Sequence, residues 1–380
     1  MMENRILREL SALANDPYGK LRKWKQESGQ KIIGSTLTDV PEELIHAAAL
    51  LPFTILGTNR PIRRASALLP DNSCSLSRSD LELVLTYETN FFDGFVLPQV
   101  DDTTQHLSDI WRRRIPASLF ECYLIPRQVD RPSSRQWLLD ETYRLQESLE
   151  SFTGKEVSED SLQKSIHLYN RNRSILRRIY DLKRRDCSLI GNRAFFELIK
   201  SSMFLPKEMH NRCLEELLPQ MDGKRPPKED KCLKFVVAGV VWEPPAVMTI
   251  LDELGINVVA DDLCTGTRYI ANDVPTDGRA VESLVERHFH KGPFSPIHDQ
   301  GNRVLENLLE LVQRYKADGI LYLHLKFFES QDYDLPDLKQ AIEEEGVPMY
   351  VLDTEYQTTH LTQMKTRIQA FAESLHRGGP

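Results

Sequence analysis

The chain has 380 residues, of which 41% are hydrophobic and 27% are charged, and its formal net charge is −8. At roughly 150 residues per domain, this length predicts two or three domains of a globular protein. Basic residues are scattered along the chain instead of forming one tract, which argues against nucleic acid as the main partner.

The chain shows no signal for a membrane or for export. Its longest apolar run, FVVAGVVW at 235–242, is far shorter than the roughly 18 residues that a membrane helix needs. The first residues carry acids and lack the apolar segment of a signal peptide, so we expect a cytoplasmic protein with no membrane partner. The six cysteines are widely spaced, which excludes a CxxC module and, in the cytoplasm, disfavours disulfides.

Short apolar runs predict two sets of four buried strands. The first set lies at 31–37, 53–58, 91–98 and 118–125, and the second at 233–240, 256–260, 319–327 and 347–354. Strands that are apolar throughout and alternate with helices predict parallel sheets with crossover connections. The predicted fold class is therefore α/β, with two doubly wound parallel four-stranded lobes joined by a helical segment.

Helical periodicity fills the middle of the chain. Leu138, Leu145 and Leu149 share one face of a helix that Gly154 is placed to end, and Ser158 is placed to begin the next helix. A polar stretch with two prolines follows and predicts a linker. We predict an N-terminal lobe at 1–135, the helical segment at 136–221, the linker at 222–231 and a C-terminal lobe at 232–380.

The loops that follow the strands are the places to look for a ligand, because parallel sheets bind ligands at the carboxyl ends of their strands. Asp101 and Asp102 lie in one such loop, and the residue types predict that Asp102 caps a helix beginning at Thr103. Asp261 and Asp262 follow a second-lobe strand and are interpreted in the same way. Acid–base or metal-binding roles stay open for both pairs.

Cys74 precedes a predicted helix start for which Ser77 and Ser79 are capping candidates. The positive end of that helix and Arg78 both favour the thiolate, which is the form that binds metals. The alternative is a small buried apolar residue.

Nucleotide-binding loops are missing from the sequence. It contains neither a Walker A loop nor a GxGxxG fingerprint, so we expect no ATP or NAD site in this chain. Three basic clusters could hold the phosphates of CoA, although solvated helix ends are the simpler interpretation. These clusters are Arg63–Arg64, Arg112–Arg114 and Lys183–Arg185.

Seven stretches, in this order, resemble one known family: TDVPEELIHAAALLPFTILG (38–57), SCSLSRSDLELVL (73–85), FFDGFVLPQVDDTTQHLSDIW (91–111), IKSSMFLPKEMHN (199–211), AGVVWEPPAVMTILDELGINVVADDLCTGTRYI (238–270), DLPDLKQAIEEEGVP (334–348) and TRIQAFAE (366–373). That family is the benzoyl-CoA reductase and 2-hydroxyacyl-CoA dehydratase family. The first stretch looks most like the smaller, C-type subunit of benzoyl-CoA reductase.

The resemblance implies an oxidoreductase or lyase of anaerobic metabolism. Two related subunits form a heteromeric complex, each typically with a [4Fe-4S] cluster held by three cysteines, and a separate ATP-hydrolysing iron–sulfur activator supplies electrons. The complex reduces an aromatic CoA thioester or removes water from a 2-hydroxyacyl-CoA. We expect this chain to be such a subunit, shaping the CoA-ester pocket beside a sister subunit with a full cysteine set.

The cluster ligands that the resemblance implies are incomplete in this chain. Cys74 matches the first cysteine, whereas Asp101 stands at the second position and Phe328 at the third. Because clusters are normally held by thiolates, we expect no conventional three-cysteine cluster, with Cys74 and Asp101 the remaining candidates for a cofactor site and Cys74 for a metal ligand.

Several alternatives remain. A shifted ligand set that draws on Cys264 stays open, as do ligands donated by a partner. A cluster-free scaffold or CoA-ester binding paralogue of the same fold is the alternative function. No catalytic residue is assigned.

Overall fold

A computed structural model describes residues 4–37, 39–58, 61–86, 91–222, 232–292, 294, 296–356 and 360–377. Within these ranges there are eight strands: β1 (Ile32–Thr36), β2 (Leu51–Ile55), β3 (Gly94–Gln99), β4 (Leu119–Leu124), β5 (Leu233–Gly239), β6 (Ile256–Asp262), β7 (Gly319–Leu325) and β8 (Met349–Thr354). The α-helices in the same ranges are α1 (Arg5–Asn15), α2 (Pro17–Ser28), α3 (Glu42–Ala47), α4 (Ser75–Thr86), α5 (Asp102–Arg114), α6 (Pro132–Thr153), α7 (Glu159–Arg185), α8 (Asn192–Ser201), α9 (Lys207–Asp222), α10 (Ala246–Glu253), α11 (Thr267–Ile270), α12 (Ala280–His290), α13 (Arg303–Tyr315), α14 (Glu329–Glu344) and α15 (Leu361–Arg377).

The strands form two four-stranded sheets with the same topology. Their orders are β2-β1-β3-β4 and β6-β5-β7-β8, and every pairing is parallel. The predicted α/β fold class with two parallel lobes is thus confirmed. In each sheet the strand order reverses at its centre, between β1 and β3 and between β5 and β7. Such a reversal opens a crevice at the carboxyl edge, where ligands bind in folds of this kind.

One strand is longer than its apolar run predicts. β6 includes Asp261 and Asp262, which pair with Val237 and Ala238 of β5. These two acids therefore lie inside the strand, and their placement in the loop after it is wrong, although the Asp261 carboxylate does accept the Thr267 N–H at the start of α11.

The helical segment has the ends that the sequence predicts. Gly154 ends α6 with a φ of 69°, and the side chain of Ser158 accepts a hydrogen bond from the Ser161 N–H at the start of α7. Both are the preferred residues for these positions. The domain limits stay a prediction, and most of the predicted linker, 223–231, lies outside the described residues.

The two lobes share one apolar core. A single cluster of buried side chains contains Phe53 and Phe95 from the first sheet, Phe235 from the second, and Phe196 from α8. Phe196 stacks on Trp242, just after β5, with ring centroids 5.7 Å apart. The helical segment therefore packs against both sheets and joins them through apolar contacts.

Two further findings concern the cysteines and the helices. Cys187, just after α7, forms a disulfide with Cys232, just before β5, so the expectation that disulfides are disfavoured is wrong for this pair. The fold brings their Cα atoms to 7.0 Å although they are 45 residues apart. None of the helices in the described ranges is long and apolar enough to cross a membrane.

Candidate functional site

Loops from both lobes meet above the carboxyl edges of the sheets. The backbone N–H of Tyr356, after β8, donates to the Ser75 hydroxyl at the start of α4 over 3.1 Å. The Tyr356 hydroxyl donates to the carbonyl oxygen of Leu56, after β2. The segment that carries Cys74 is thereby fixed against the second lobe.

Asp101, not Asp102, caps α5. Its Oδ1 accepts the Thr104 N–H over 2.7 Å, and the Thr104 hydroxyl accepts the Asp101 N–H over 3.1 Å. The prediction that Asp102 caps a helix beginning at Thr103 is wrong by one residue, because the extended backbone of Asp101 starts the helix earlier. Burial raises the pKa of Asp101, while the hydrogen bonds from Thr104 lower it.

Cys74 lies directly before α4 and is only 2% exposed. Burial raises the pKa of its thiol to about 12, and the neighbouring Asp101 carboxylate acts in the same direction. The predicted thiolate is therefore disfavoured, since desolvation outweighs the helix terminus. Ser77 and Ser79 lie inside α4 and are not its caps.

Arg78 is engaged with groups other than the Cys74 thiol. Its Nε donates to the Ser73 carbonyl oxygen over 3.1 Å, and its guanidinium lies 3.7 Å from the Asp71 carboxylate. The positive charge of Arg78, which was predicted to favour the Cys74 thiolate, therefore interacts with Ser73 and Asp71 instead.

Phe328 fills the third position of the ligand set implied by the resemblance. Its ring is 4% exposed and belongs to the same apolar cluster as Cys74 and Cys264. Burial also raises the pKa of the Cys264 thiol to about 12. The structure brings these three side chains into one core, which is apolar.

The side chains at these positions do not fit a cluster held by three thiolates. They are one buried thiol, one carboxylate engaged as a helix cap, and one phenyl ring. In the described ranges, no three His, Cys, Asp or Glu side chains group in a way that could hold a metal ion. We therefore assign no chemical step to a cluster in this chain.

A cavity of about 310 Å³ lies beside this core, between the two lobes. Aromatic rings form much of its wall, namely Tyr18, Phe204, Trp242 and Tyr356. The ammonium of Lys200 lines it as well and lies 5.5 Å from the Trp242 ring. The wall also carries the acids Asp16 and Glu197, so the cavity combines aromatic rings with charged groups of both signs.

Two buried carboxyl groups surround Lys200. Its Nζ donates to Glu243 Oε1 over 2.7 Å, and Glu243 Oε2 is buried with no hydrogen-bond partner among the described residues. Asp80 accepts the Gly57 N–H over 2.6 Å, and burial, with the nearby Glu243 charge, raises its pKa well above its usual value. Of these three groups, the Lys200 ammonium lines the cavity and can donate a hydrogen bond to a bound molecule.

Sequence reasoning missed most of this cavity. Asp80 and Lys200 lie within two of the stretches that carry the family resemblance, 73–85 and 199–211, but no role was predicted for either. Lys200 lies on α8 and Asp80 on α4, and neither belongs to a motif that indicates a chemical role. The one available signal was the acid of SDLELVL at 79–85, which precedes an apolar run.

Comparisons with known proteins agree over almost the whole chain. The model of a family described as "2-hydroxyglutaryl-CoA dehydratase, D-component" matches residues 37–375. The (R)-phenyllactyl-CoA dehydratase beta subunit of Clostridium sporogenes is 24% identical over 98% of this chain and 99% of its own length. The C-type subunit of benzoyl-CoA reductase from Thauera aromatica is 26% identical over 97% of this chain and 98% of its own.

A third relative extends the same pattern. The beta subunit of lactoyl-CoA dehydratase from Anaerotignum propionicum is 27% identical over 97% of this chain and 98% of its own length. The resemblance predicted from the seven stretches is confirmed by these matches.

Proposed function

Since the chain belongs to the 2-hydroxyglutaryl-CoA dehydratase D-component family, we propose that it is a subunit of a CoA-thioester dehydratase or reductase. The sequence predicts the same function. The family match over residues 37–375 is the observation that carries it. The substrate class is a 2-hydroxyacyl-CoA or an aromatic CoA thioester, because both kinds occur among the names of the similar proteins.

In this complex the chain works without a cluster of its own. One buried thiol, a capping Asp101 and the ring of Phe328 support this assignment. The redox chemistry then belongs to a sister subunit with a full cysteine set, supplied with electrons by an ATP-hydrolysing iron–sulfur activator in the cytoplasm. The present chain binds and orients the CoA ester.

The interlobe cavity supports a binding role for this chain. Its aromatic rings can pack against an acyl group, and the Lys200 ammonium can donate a hydrogen bond to a carbonyl oxygen. Glu243 holds that ammonium in place through its 2.7 Å hydrogen bond. The cavity thus supplies aromatic surfaces and a hydrogen-bond donor that can orient the ester.

The experiment combines activity with metal analysis. The chain is produced without oxygen together with its sister subunit, and ATP-dependent turnover of both CoA-ester classes is measured with and without it. We expect turnover only with the complete complex. Iron and acid-labile sulfide per complex should be unchanged by Cys74→Ala, as by the control Cys213→Ala on α9.

Two outcomes would contradict the proposal. Turnover by the sister subunit and activator alone would leave the chain as a scaffold. Loss of about four irons in Cys74→Ala, but not in Cys213→Ala, would mean that this chain holds a cluster after all.

A further inference from the structure

A groove of about 440 Å³ opens where β3 and β4 end and α6 begins. It lies outside the interlobe cavity and shares no residue with it. Trp137 lines one side of the groove, and its polar lining residues are Gln99, Gln105, Arg127, Gln128, Arg131, Ser133 and Ser134. The groove borders the turn that contains Asp101, because Gln99 and Gln105 on either side of that turn line it.

The charge of this groove differs from that of the whole protein. Two arginines and no acid line it, in a chain whose net charge is −8. The guanidinium of Arg131 makes no hydrogen bond or ion pair within the described ranges. Arg127 pairs with Asp102 at 3.2 Å, but both side chains are largely exposed, and a pair of that kind is weak. Both cations are therefore accessible to an anion.

Trp137 is the exposed tryptophan of the described chain. It is 55% exposed, whereas Trp111 and Trp242 are at most 1% exposed. An indole face left in water costs hydrophobic free energy unless a ligand covers it. Beside two arginines, such a face is suited to a planar heteroaromatic ring that carries phosphates.

We propose that the groove binds the adenosine 3′-phosphate 5′-diphosphate portion of the CoA thioester. Trp137 stacks on the adenine, and Arg127 and Arg131 bind the phosphates. The amides of Gln99 and Gln105 are placed to donate to the sugar and base. The N-terminus of α6, which has no acid in its first turn, adds positive potential. This inference rests on the proposed function and names the site at which that substrate is held.

The test uses the full chain and adenosine 3′,5′-bisphosphate as the probe, with binding measured by calorimetry. We expect Trp137→Ala to weaken binding by about tenfold or more, because stacking on an aromatic ring supplies that much. An Arg127→Ala/Arg131→Ala variant should weaken it at least as much and reduce its salt dependence. Tyr143→Ala, on the same helix and 37% exposed, is the matched control and should bind normally.

The outcomes separate this inference from the proposed function. If the wild-type chain does not bind the probe while the complete complex turns over a CoA ester, the assignment of the groove as a CoA site is wrong and the proposed function is unaffected. If Trp137→Ala binds the probe normally but assembles poorly with the sister subunit, the groove is a protein interface and the inference is overturned. Circular dichroism of each variant shows whether it is folded.

Discussion

Each lobe carries an Asp–Asp pair at the carboxyl end of a strand, and the two pairs are used in opposite ways. In the first lobe Asp101 caps α5, and Asp102 is exposed beside Arg127. In the second lobe Asp261 and Asp262 are both buried. The same dipeptide therefore meets two different environments, after the inner strand β3 in the first sheet and at the end of the outer strand β6 in the second.

Other side chains account for the difference. Asp261 accepts hydrogen bonds from the Tyr180 hydroxyl on α7 and from the Thr267 N–H at the start of α11, the latter over 2.7 Å. Asp262 accepts a hydrogen bond from Arg268 Nη2 over 2.8 Å, and its other carboxylate oxygen lies 2.7 Å from Arg268 Nε. α7 of the helical segment packs against this edge through Tyr180, whereas the Asp102 side chain is 72% exposed. The packing above the edge, more than the dipeptide, decides whether the charges are buried.

The comparison is tested most strongly by Arg268→Ala. This change leaves the buried Asp262 carboxylate without its partner, and we expect it to lower the free energy of unfolding by about 3–5 kcal/mol. Urea denaturation followed by circular dichroism measures the loss. The corresponding change in the first lobe, Arg127→Ala, removes an exposed pair and should cost less than about 1 kcal/mol.

A double variant separates charge from packing. Asp262→Leu/Arg268→Met removes both charges, so it should recover most of the stability lost by Arg268→Ala. Equal losses in Arg268→Ala and Arg127→Ala would show that the two pairs are not energetically different.

A second prediction uses pH. Burial raises the pKa of Asp261 above its usual 3.8, although hydrogen bonds from Thr267 and Tyr180 oppose this. The folded chain therefore holds that proton more tightly than the unfolded chain does. The contribution of Asp261 to stability is greatest at acidic pH and falls as the pH rises from 3.8 through the raised value.

The variant Asp261→Asn cannot ionise, so its stability relative to wild type should improve as the pH rises. Urea unfolding of both proteins between acidic and neutral pH measures this change. Asp102→Asn is the control for the loss of one charge. A pH slope of the same size in that control would attribute the effect to net charge instead of burial.

The sequence predicts the sheets well because an uninterrupted apolar run is itself the pattern that indicates a buried strand. β1 and β8 fall within the predicted 31–37 and 347–354. The prediction from the sequence fails at the end of β6. Charged residues are typical of loops, but the pairing with β5 continues through Asp261 and Asp262. Pairing between strands is a tertiary contact, so the residue types within one strand do not show how far the pairing continues.

The candidate site, like the sheets, could be predicted only in part. The order of Cys74, Asp101 and Phe328 along the chain is visible in the sequence, as is the presence of one thiol among them. The burial that keeps Cys74 protonated comes from side chains far along the chain, such as Tyr356. Lys200 and Glu243 meet across 43 residues for the same reason. Burial and pairing of charges therefore could not be predicted from spacing.

The smallest expected effects lie within the first-lobe pair itself. Asp101→Ala removes the cap of α5 and should lower the free energy of unfolding by about 1 kcal/mol. Asp102→Ala removes an exposed partner of Arg127 and should cost less than that. The two variants delete the same atoms one residue apart, so their difference isolates the cap from the charge. An equal or larger loss of stability in Asp102→Ala would mean that Asp102 is the cap of α5, and Asp101 would then be available to bind a ligand.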